Sequence, residues 1–457
     1  MEGGRIVREA LKVGVSGVRG IVGDSFTPQI ASAFAQAFGA FVGAGPVIVG
    51  RDTRPTGEMI QHAIVAGLQS VGCQPVLVGV APTPTILIQT QALQARGGVA
   101  ITASHNPAPW NALKFVDRNG LFLSEIRADE LYDVYHQRNF HLAEEDAIPE
   151  VVTEPYPMDE HFRRVYGYVD IDAIKKARLK VAVDCCNGVG AIHTAPFLEH
   201  LGCEVLTIYD KPSKAFEREP EPLPENLKLL GETVLKNKCD VGFAQDPDGD
   251  RLAIVNEKGE PIGEDLTLAF AVQQVLSRHK KGPVAINLST SKTVEDVARA
   301  LGSEVFRTKI GEINVSETML KVGAVVGGES NGGVIVTDIH PCRDSYAGMA
   351  IVLELMAAAG KRISELRAAM PKYAVVKLKV HIRGEMAPEI LRAIRSKFHD
   401  QKLTMLDGVH VDFGDSWLHA RRSNTEPVIR VTAEAPSSDQ AESMAGELRD
   451  FVQGMVG

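Results

Sequence analysis

The stretch PVIVGRD at residues 46–52 decides the fold, because it begins an order of segments that the chain repeats. An apolar run leads into a polar loop, a helical segment follows, and a glycine precedes a second apolar run, CQPVLV at residues 73–78. A strand, a loop, a helix that ends at a glycine and a further strand together indicate a βαβ unit. Such a unit predicts a sheet in which most strands are parallel.

The same order of segments recurs twice further along the chain. KVAVD at residues 180–184 leads through a helical segment to LGCEVL at 201–206, and PVAIN at 283–287 leads in the same way to LGSEVF at 301–306. Repetition of one supersecondary unit predicts three related α/β domains with mixed sheets.

The last part of the chain has a different pattern. Strand-like runs occupy residues 373–380, 408–413 and 427–433, and helical patterns occupy 386–399 and 438–454. Strands and helices in this arrangement predict a small α+β domain with an antiparallel sheet.

Length and linkers predict four domains. The chain has 457 residues, which is more than one hydrophobic core holds. Polar, Pro-rich or turn-like stretches separate the repeated parts, and they place the domains at residues 1–152, 153–256, 257–370 and 371–457.

Composition narrows the class of protein. The net charge of −9 disfavours nonspecific binding of nucleic acid. The chain has no run of 18 apolar residues, and residues 1–5 do not begin a signal peptide, so we expect a cytoplasmic protein with no membrane partner. The six cysteines form no C-x-x-C pair and are expected to be small buried residues in a reducing compartment.

The motif TASHNP at residues 102–107 is the first candidate site. It follows the apolar run at residues 98–101, and open α/β sheets bind ligands beyond the carboxyl ends of their strands. Ser104 is therefore a candidate nucleophile, and His105 beside it can handle a proton. The alternative is an ordinary turn made by Asn106 and Pro107.

Asp246, Asp248 and Asp250 alternate in the motif DPDGDR, which follows another apolar run. Three carboxylates in one tight loop repel each other unless a cation lies between them, and oxygen ligands favour Mg²⁺ or Ca²⁺. The alternatives are an exposed acidic turn and an EF-hand calcium loop. The EF-hand is disfavoured because Arg251 stands where that loop needs glycine and because the flanking segments resemble strands.

Four further segments are weaker candidates when each is taken alone. GESNGG at residues 328–333 carries one carboxylate suited to hydroxyl groups, but it also fits a flexible turn. RRSNTEP at 421–427 offers donors for a phosphate, but it also fits a hairpin turn. GVSGVRG at 14–20 and Lys114 each add one cation that could equally lie on the surface.

Taken together, these motifs strongly resemble the α-D-phosphohexomutase family, and the resemblance runs from Ser16 to Arg430 in the order that the family has. It implies three related α/β domains and a fourth, α+β domain of the TATA-binding-protein-like type. It also implies an isomerase that interconverts hexose 6-phosphates and 1-phosphates through a phosphoserine, Mg²⁺ and a sugar 1,6-bisphosphate that serves as intermediate and activator. The partner is then a small-molecule phosphosugar, and a monomer and a homodimer both stay open.

The resemblance also implies a role for individual residues. Ser104 carries the phosphate, and Asp246, Asp248 and Asp250 bind Mg²⁺ together with it. The residues that supply charge and proton transfer around the serine are Arg19, His105 and Lys114. Those that contact the sugar or support its site are Arg251, Lys309, Gly311, Glu329, Ser330 and Asn331. Those that hold the phosphate that is not transferred are Arg421, Ser423, Asn424, Thr425 and Arg430.

Sugar identity is the part that the motifs leave open. Many relatives have histidine where this chain has Gly333, and others have it where Glu312 stands. The run TEPVIRV at 425–431 resembles phosphoglucosamine mutases, whereas residues 423–425 resemble phosphomannomutase/phosphoglucomutase enzymes. We therefore expect glucosamine phosphate, with a glucose/mannose mutase as the alternative. A phosphosugar phosphatase or a non-catalytic phosphosugar-binding protein is a remote alternative, because Ser104 and all three aspartates are present.

Overall fold

The computed structural model describes residues 10–212, 216–423 and 427–456. Within these ranges the strands form four sheets of seven, four, four and five strands. The sheets follow one another along the chain, as the three repeats and the distinct C-terminal segment predict.

The first sheet belongs to domain I and has the order β1-β2-β6-β5-β3-β4-β7. Its strands are β1 (Lys12–Gly14), β2 (Gly17–Ile21), β3 (Gly45–Arg51), β4 (Cys73–Val80), β5 (Gly97–Ile101), β6 (Trp110–Asp117) and β7 (Val152–Thr153). The helices are α1 (Pro28–Val42), α2 (Gly57–Gln69), α3 (Thr83–Ala92) and α4 (Glu125–Gln137). The glycine-rich segment at residues 14–20 is a β-hairpin on this sheet, so Arg19 lies on a strand.

Domains II and III each build one four-stranded sheet. Domain II contains α5 (Met158–Tyr168), α6 (Ile171–Ala177), β8 (Lys180–Asp184), α7 (Gly190–His200), β9 (Glu204–Ile208), α8 (Lys228–Asn237), β10 (Val241–Gln245) and β11 (Leu252–Asn256). Domain III contains α9 (Glu264–Gln274), β12 (Val284–Asn287), α10 (Lys292–Ala300), β13 (Val305–Thr308), α11 (Glu312–Val322), β14 (Val326–Glu329), β15 (Gly333–Val336), α12 (Ser345–Ala359) and α13 (Ile363–Ala368).

The three sheets share one topology, which confirms that the domains are related. The orders β6-β5-β3-β4, β11-β10-β8-β9 and β15-β14-β12-β13 match strand for strand, and in each the first strand is antiparallel to the other three. The loops that follow β5, β10 and β14 therefore occupy equivalent places. These are the loops that carry the serine, the aspartates and the candidate sugar carboxylate.

Domain IV is an antiparallel sheet of order β16-β20-β19-β18-β17 with two helices. Its elements are β16 (Ala374–His381), α14 (Ala387–Lys397), β17 (Lys402–Thr404), β18 (Val409–Asp412), β19 (Trp417–Arg422), β20 (Val428–Ala435) and α15 (Ser438–Val456). The sequence pattern predicted three of these strands and both helices, and it missed β17 and β19. The second miss has a clear reason, because β19 ends in two arginines that resemble a polar turn.

The apolar clusters show which domains share a core. One apolar cluster runs through domains II and III, and it includes Phe197, Phe270 and most of α12, whose residues 345–356 are all buried. Domain IV has a separate apolar cluster. The first three domains are also joined by a buried chain of hydrogen bonds, from Thr85 Oγ1 to His161 Nδ1 (2.8 Å) and from His161 Nε2 to Asp344 Oδ2 (2.7 Å).

Domains III and IV meet at the N-terminus of α10. The backbone nitrogen of Ser291 donates to Asp265 Oδ1 (3.0 Å), and that of Lys292 donates to Glu434 Oε1 (2.7 Å) from domain IV. Negative charge is favourable at a helix N-terminus, so both carboxylates fit their place.

Two further expectations can be compared with the structure. All six cysteines are buried and free of disulfides, as their spacing predicted. None of the helices in the described ranges combines the length and apolar composition needed to cross a membrane.

Candidate active site

Ser104 lies three residues beyond the end of β5 in a left-handed backbone conformation, with φ of 47°. Its backbone nitrogen donates to Thr102 Oγ1 (2.9 Å). Its hydroxyl donates to Asp246 Oδ2 (2.6 Å), which lies 142 residues further along the chain in domain II. The structure therefore brings the serine loop against the aspartate loop, as the candidate roles require.

Arg54 holds the serine loop in this conformation, and sequence reasoning missed it. The fully buried guanidinium donates to four backbone oxygens: those of Ser104 (2.6 Å), Asn106 (2.7 Å), Pro107 (2.8 Å) and Trp110 (3.0 Å). Its Nε donates to Asp52 Oδ2 (3.0 Å). The available signal was its place in RDTR at residues 51–54, a charged run that begins with the last residue of β3 at the carboxyl edge of the sheet.

Asp246, Asp248 and Asp250 converge between β10 and β11. Each offers an oxygen within 4.8 Å of the others, and all three residues are buried. Asp248 Oδ1 and Asp250 Oδ1 are buried atoms that accept no hydrogen bond from any described residue. Oxygen ligands of this kind suit Mg²⁺, so the residues present fit a hard divalent cation.

The second oxygen of each of these two aspartates is occupied. Asp248 Oδ2 accepts from Thr83 Oγ1 (2.8 Å) and Lys114 Nζ (2.8 Å). Asp250 Oδ2 accepts from Arg343 Nη2 (2.6 Å) and lies 3.6 Å from Lys114 Nζ. One oxygen per carboxylate is thus oriented by the protein, and the other is left for a ligand.

Burial, mutual repulsion and Lys114 shift the pKa values of the aspartate loop in opposite directions. Burial, and then Asp248 and Asp250, raise the pKa of Asp246 well above its ordinary value. Burial acts to raise the pKa of Asp248, but the charge of Lys114 and the hydrogen bonds that Asp248 makes together outweigh it, so the pKa is lowered. Burial would lower the pKa of Lys114, but Asp248 and Asp250 raise it instead, so this side chain is held as an ammonium.

His105 is the neutral group of the site. Burial, and then the charges of Arg251 and Arg343, lower its pKa to about 2. Its buried Nδ1 has no hydrogen-bond partner among the described residues. The imidazole is therefore uncharged near neutral pH and free at one nitrogen to form a hydrogen bond.

Glu329, the last residue of β14, is the buried carboxylate of the candidate sugar loop. Its Oε1 accepts from Asn287 Nδ2 (3.0 Å) and from the backbone nitrogen of Gly311 (2.9 Å). Its Oε2 lies 3.2 Å from Arg343 Nη1. The sequence prediction included Glu329 and Gly311 but missed Asn287 and Arg343, which carried no recognisable motif.

The other predicted residues of domains I to III differ in their burial and in the groups that they contact. Arg251 is buried, and its Nη1 donates to Glu221 Oε1 (2.8 Å). Arg19 donates to Asn106 Oδ1 (3.4 Å) at the serine loop, and Asn331 Oδ1 accepts from a backbone nitrogen of its own loop. Lys309 is half exposed and pairs with Glu125 of domain I (3.4 Å), so it is not drawn into the aspartate cluster. Ser330 follows Glu329 directly, at the end of β14.

Domain IV contributes a hairpin whose strands carry the predicted phosphate ligands. Arg421 and Arg430 pair across β19 and β20, and the backbone nitrogen of Ser423 donates to Val428 O (3.0 Å). Burial lowers the pKa of Arg421, while the charges of Asp407 and Glu329 oppose this effect. The predicted ligands Asn424 and Thr425 lie outside the described residues.

Comparison with known proteins agrees with this geometry. Four family models match in order: phosphoglucomutase/phosphomannomutase alpha/beta/alpha domains I, II and III at residues 10–141, 159–259 and 263–373, and the C-terminal domain at 375–451. The chain belongs to the phosphoglucomutase/phosphomannomutase family. It is accordingly a phosphohexomutase, an enzyme of the isomerase class.

Relatives of this phosphohexomutase carry two kinds of name. A Methanopyrus kandleri protein named "probable phosphoglucosamine mutase" is 37% identical over 97% of this chain and 98% of its own. A "phosphoglucomutase/phosphomannomutase" of Thermococcus kodakarensis is 37% identical over 94% and 95%. The crystal structure of a phosphoglucomutase/phosphomannomutase family protein from Burkholderia thailandensis covers 97% of this chain and 96% of its own, with a TM-score of 0.85 and 25% identity.

Proposed function

We propose that this phosphohexomutase interconverts hexose 6-phosphate and hexose 1-phosphate through phosphorylated Ser104, a bound Mg²⁺ and a sugar 1,6-bisphosphate, and that it prefers glucosamine phosphate. The observation that carries the proposal is the 2.6 Å hydrogen bond from Ser104 Oγ to Asp246 Oδ2. It joins a nucleophile and a cluster of metal-type ligands from two different domains.

The chemistry divides into two half-reactions. In the first, the bond between phosphorus and Ser104 Oγ breaks, a bond from phosphorus to a sugar hydroxyl oxygen forms, and that hydroxyl loses its proton. In the second, the bisphosphate returns its other phosphoryl group to Ser104. Transfer of this kind depends on positioning and on neutralising the charge of the phosphoryl oxygens.

This chain's own side chains support those steps. Asp246, Asp248 and Asp250 would hold Mg²⁺, which would neutralise phosphate charge and stabilise the serine oxygen as a leaving group. Lys114 adds a second positive charge, and the neutral His105 keeps a free ring nitrogen that can form a hydrogen bond with the sugar hydroxyl. Glu329 would accept hydrogen bonds from sugar hydroxyls through the remaining lone pairs of its carboxylate.

Domain IV would hold the phosphate that does not react. Arg421 lies near the end of β19 and Ser423 directly follows that strand, and the predicted ligands Asn424 and Thr425 come next in the sequence. A guanidinium binds phosphate through a planar pair of N–H groups, whichever end of the sugar presents it. The same clamp therefore serves both half-reactions.

The preferred sugar rests on the relatives and on the C-terminal motif. Several relatives are named probable phosphoglucosamine mutases, and the run TEPVIRV resembles that branch. A glucose/mannose mutase is the second candidate, because the Thermococcus kodakarensis relative is equally similar in sequence.

The test uses radiolabelled glucose 1,6-bisphosphate and three sugar phosphates. We expect label on the wild type and on the matched control Ser443→Ala, an exposed serine on α15, but not on Ser104→Ala. Isomerisation rates should be highest for glucosamine phosphate and should fall to background in Ser104→Ala. A fully active Ser104→Ala enzyme overturns the mechanism, and a higher kcat/KM for glucose or mannose phosphate overturns the sugar preference.

A further inference from the structure

Arg343 lies between β15 and α12, and its buried guanidinium contacts three carboxylates from two domains. Nη2 donates to Asp250 Oδ2 in domain II (2.6 Å), and Nε donates to Glu312 Oε2 in domain III (2.9 Å). Nη1 lies 3.2 Å from Glu329 Oε2. One side chain thus connects the aspartate loop with the carboxylate of the sugar loop.

Glu312 fixes Arg343 at two points. Its Oε2 accepts from the side chain, and its Oε1 accepts from the backbone nitrogen of Arg343 (3.0 Å). Glu312 is itself buried as the first residue of α11. The guanidinium therefore has a defined orientation before any ligand enters.

Gly333 makes room for the arginine. A Cβ atom at this position would lie 2.3 Å from Arg343 Cδ and 2.9 Å from Cγ, which is far inside van der Waals contact. The glycine does not have a positive φ, so steric space rather than backbone conformation requires it. The aliphatic part of the Arg343 side chain therefore occupies the space that a larger residue at position 333 would need.

The carboxylates that Arg343 contacts differ in which oxygens the protein occupies. Asp250 Oδ1 accepts no hydrogen bond from the described residues, so Arg343 leaves it to a cation. At Glu329, Asn287 and Gly311 contact Oε1, whereas Arg343 contacts Oε2. Without Arg343, the neighbouring carboxylates of Asp250, Glu312 and Glu329 would repel each other in a buried site.

We infer that Arg343 is a positioning residue that holds the cation-binding loop and the sugar-binding carboxylate in one frame, with Glu312 and Gly333 as its supports. The inference rests on the proposed function for the identity of the two ligands. Arg343 is not proposed to contact the cation or the sugar directly, because it acts through Asp250 and Glu329. A displacement of about 1 Å between such groups can lower a rate by roughly a hundredfold.

The first test compares Arg343→Met and Arg343→Lys with the wild type by calorimetry and steady-state kinetics. We expect kcat to fall by roughly a hundredfold in Arg343→Met, because the reacting groups lose their alignment. Affinity of the Mg²⁺-loaded protein for hexose 6-phosphate should fall, whereas Mg²⁺ affinity of the sugar-free protein should not weaken, since a nearby positive charge is removed. Arg343→Lys should restore little, because an ammonium cannot bridge three carboxylates in a plane. Equal weakening of Mg²⁺ and sugar binding, or no change in either, overturns the inference.

The second test uses Gly333→Ala, which displaces Arg343 without removing any charged group, and its comparison with the wild type does not require Arg343→Met to fold. We expect Gly333→Ala to lower kcat in the wild-type background and to have little further effect in the Arg343→Met background. The matched control is Gly384→Ala, where a Cβ would meet no atom within 4 Å. Equal effects of Gly333→Ala in both backgrounds, or none in the wild type, overturn the inference. Calorimetry needs no turnover, so it tests the role of Arg343 even if the proposed reaction is wrong. The proposed reaction is tested separately by Ser104→Ala.

Discussion

Replacement of Arg54 by methionine should release the serine loop and disable Ser104 without touching it. The change removes five side-chain hydrogen bonds and leaves Asp52 as a buried carboxylate without its cation. Breaking a buried ion pair by removing one partner costs about 3–5 kcal/mol. The left-handed conformation of Ser104 itself costs roughly 1–2 kcal/mol, and Arg54 holds the carbonyl of that residue. We therefore expect the loop to relax once the guanidinium is gone.

Two assays measure this effect. Native-state hydrogen exchange of residues 102–110 should show the local opening free energy reduced by about 3–5 kcal/mol. Phosphorylation of Ser104 by labelled bisphosphate should slow by roughly a hundredfold, because the hydroxyl leaves its position against Asp246. The matched control is Arg96→Met, an exposed arginine of the same domain that donates to one backbone oxygen. Unchanged exchange and an unchanged rate in Arg54→Met would refute the reasoning.

Three further predictions address the cation, the distal phosphate and the dependence of stability on pH. Asp248→Asn should weaken Mg²⁺ binding in calorimetry and lower kcat by roughly a hundredfold or more, whereas binding of wild-type strength would contradict the cation site. Arg421→Ala should raise KM for both phosphosugar isomers by roughly tenfold to a hundredfold, since one charge-assisted contact contributes about 1.5–3 kcal/mol, and unchanged KM values would exclude domain IV as the clamp. Burial, with a smaller contribution from Glu434, raises the pKa of Asp265 to about 7, so the native state binds this proton more tightly than the unfolded state does. The stabilisation is then present at low pH and is lost as pH rises through about 7. The melting temperature should depend less on pH between pH 5 and pH 8 in Asp265→Asn than in the wild type. An equal dependence on pH in the two proteins would count against the assignment.

Sequence reasoning identified the groups that do chemistry, because their types and spacing are unusual. Ser104 beside His105, and three alternating aspartates, have few structural explanations, and both motifs followed apolar runs that are strands in the structure. The repeated order of segments then predicted that these loops lie at equivalent sheet edges. The common topology of the three sheets confirms that placement.

The residues that hold those groups in place were beyond a sequence-based prediction. Arg54 contacts backbone oxygens 50 or more residues away and Arg343 contacts Asp250, 93 residues away, and nothing in their local sequence indicates these partners. Thr83 and Asn287 are ordinary polar residues that become important only through their contacts. Strand β19 was missed for the opposite reason, since its two terminal arginines favoured a turn although the strand pairs on both sides.

The shared core of domains II and III, with the Thr85–His161–Asp344 chain that ties domain I to them, has a consequence for the fate of the intermediate. These contacts resist separation of the first three domains, so we expect those domains to stay together while the proposed bisphosphate turns around. Domain IV packs around a separate apolar cluster, so we expect its side of the site to open. Whether an intermediate completes the cycle or is lost to solvent is therefore a competition between two rates, its rotation and its escape past one hinged domain. We expect contacts between domains III and IV, such as the one from Lys292 to Glu434, to set the number of turnovers per priming phosphate.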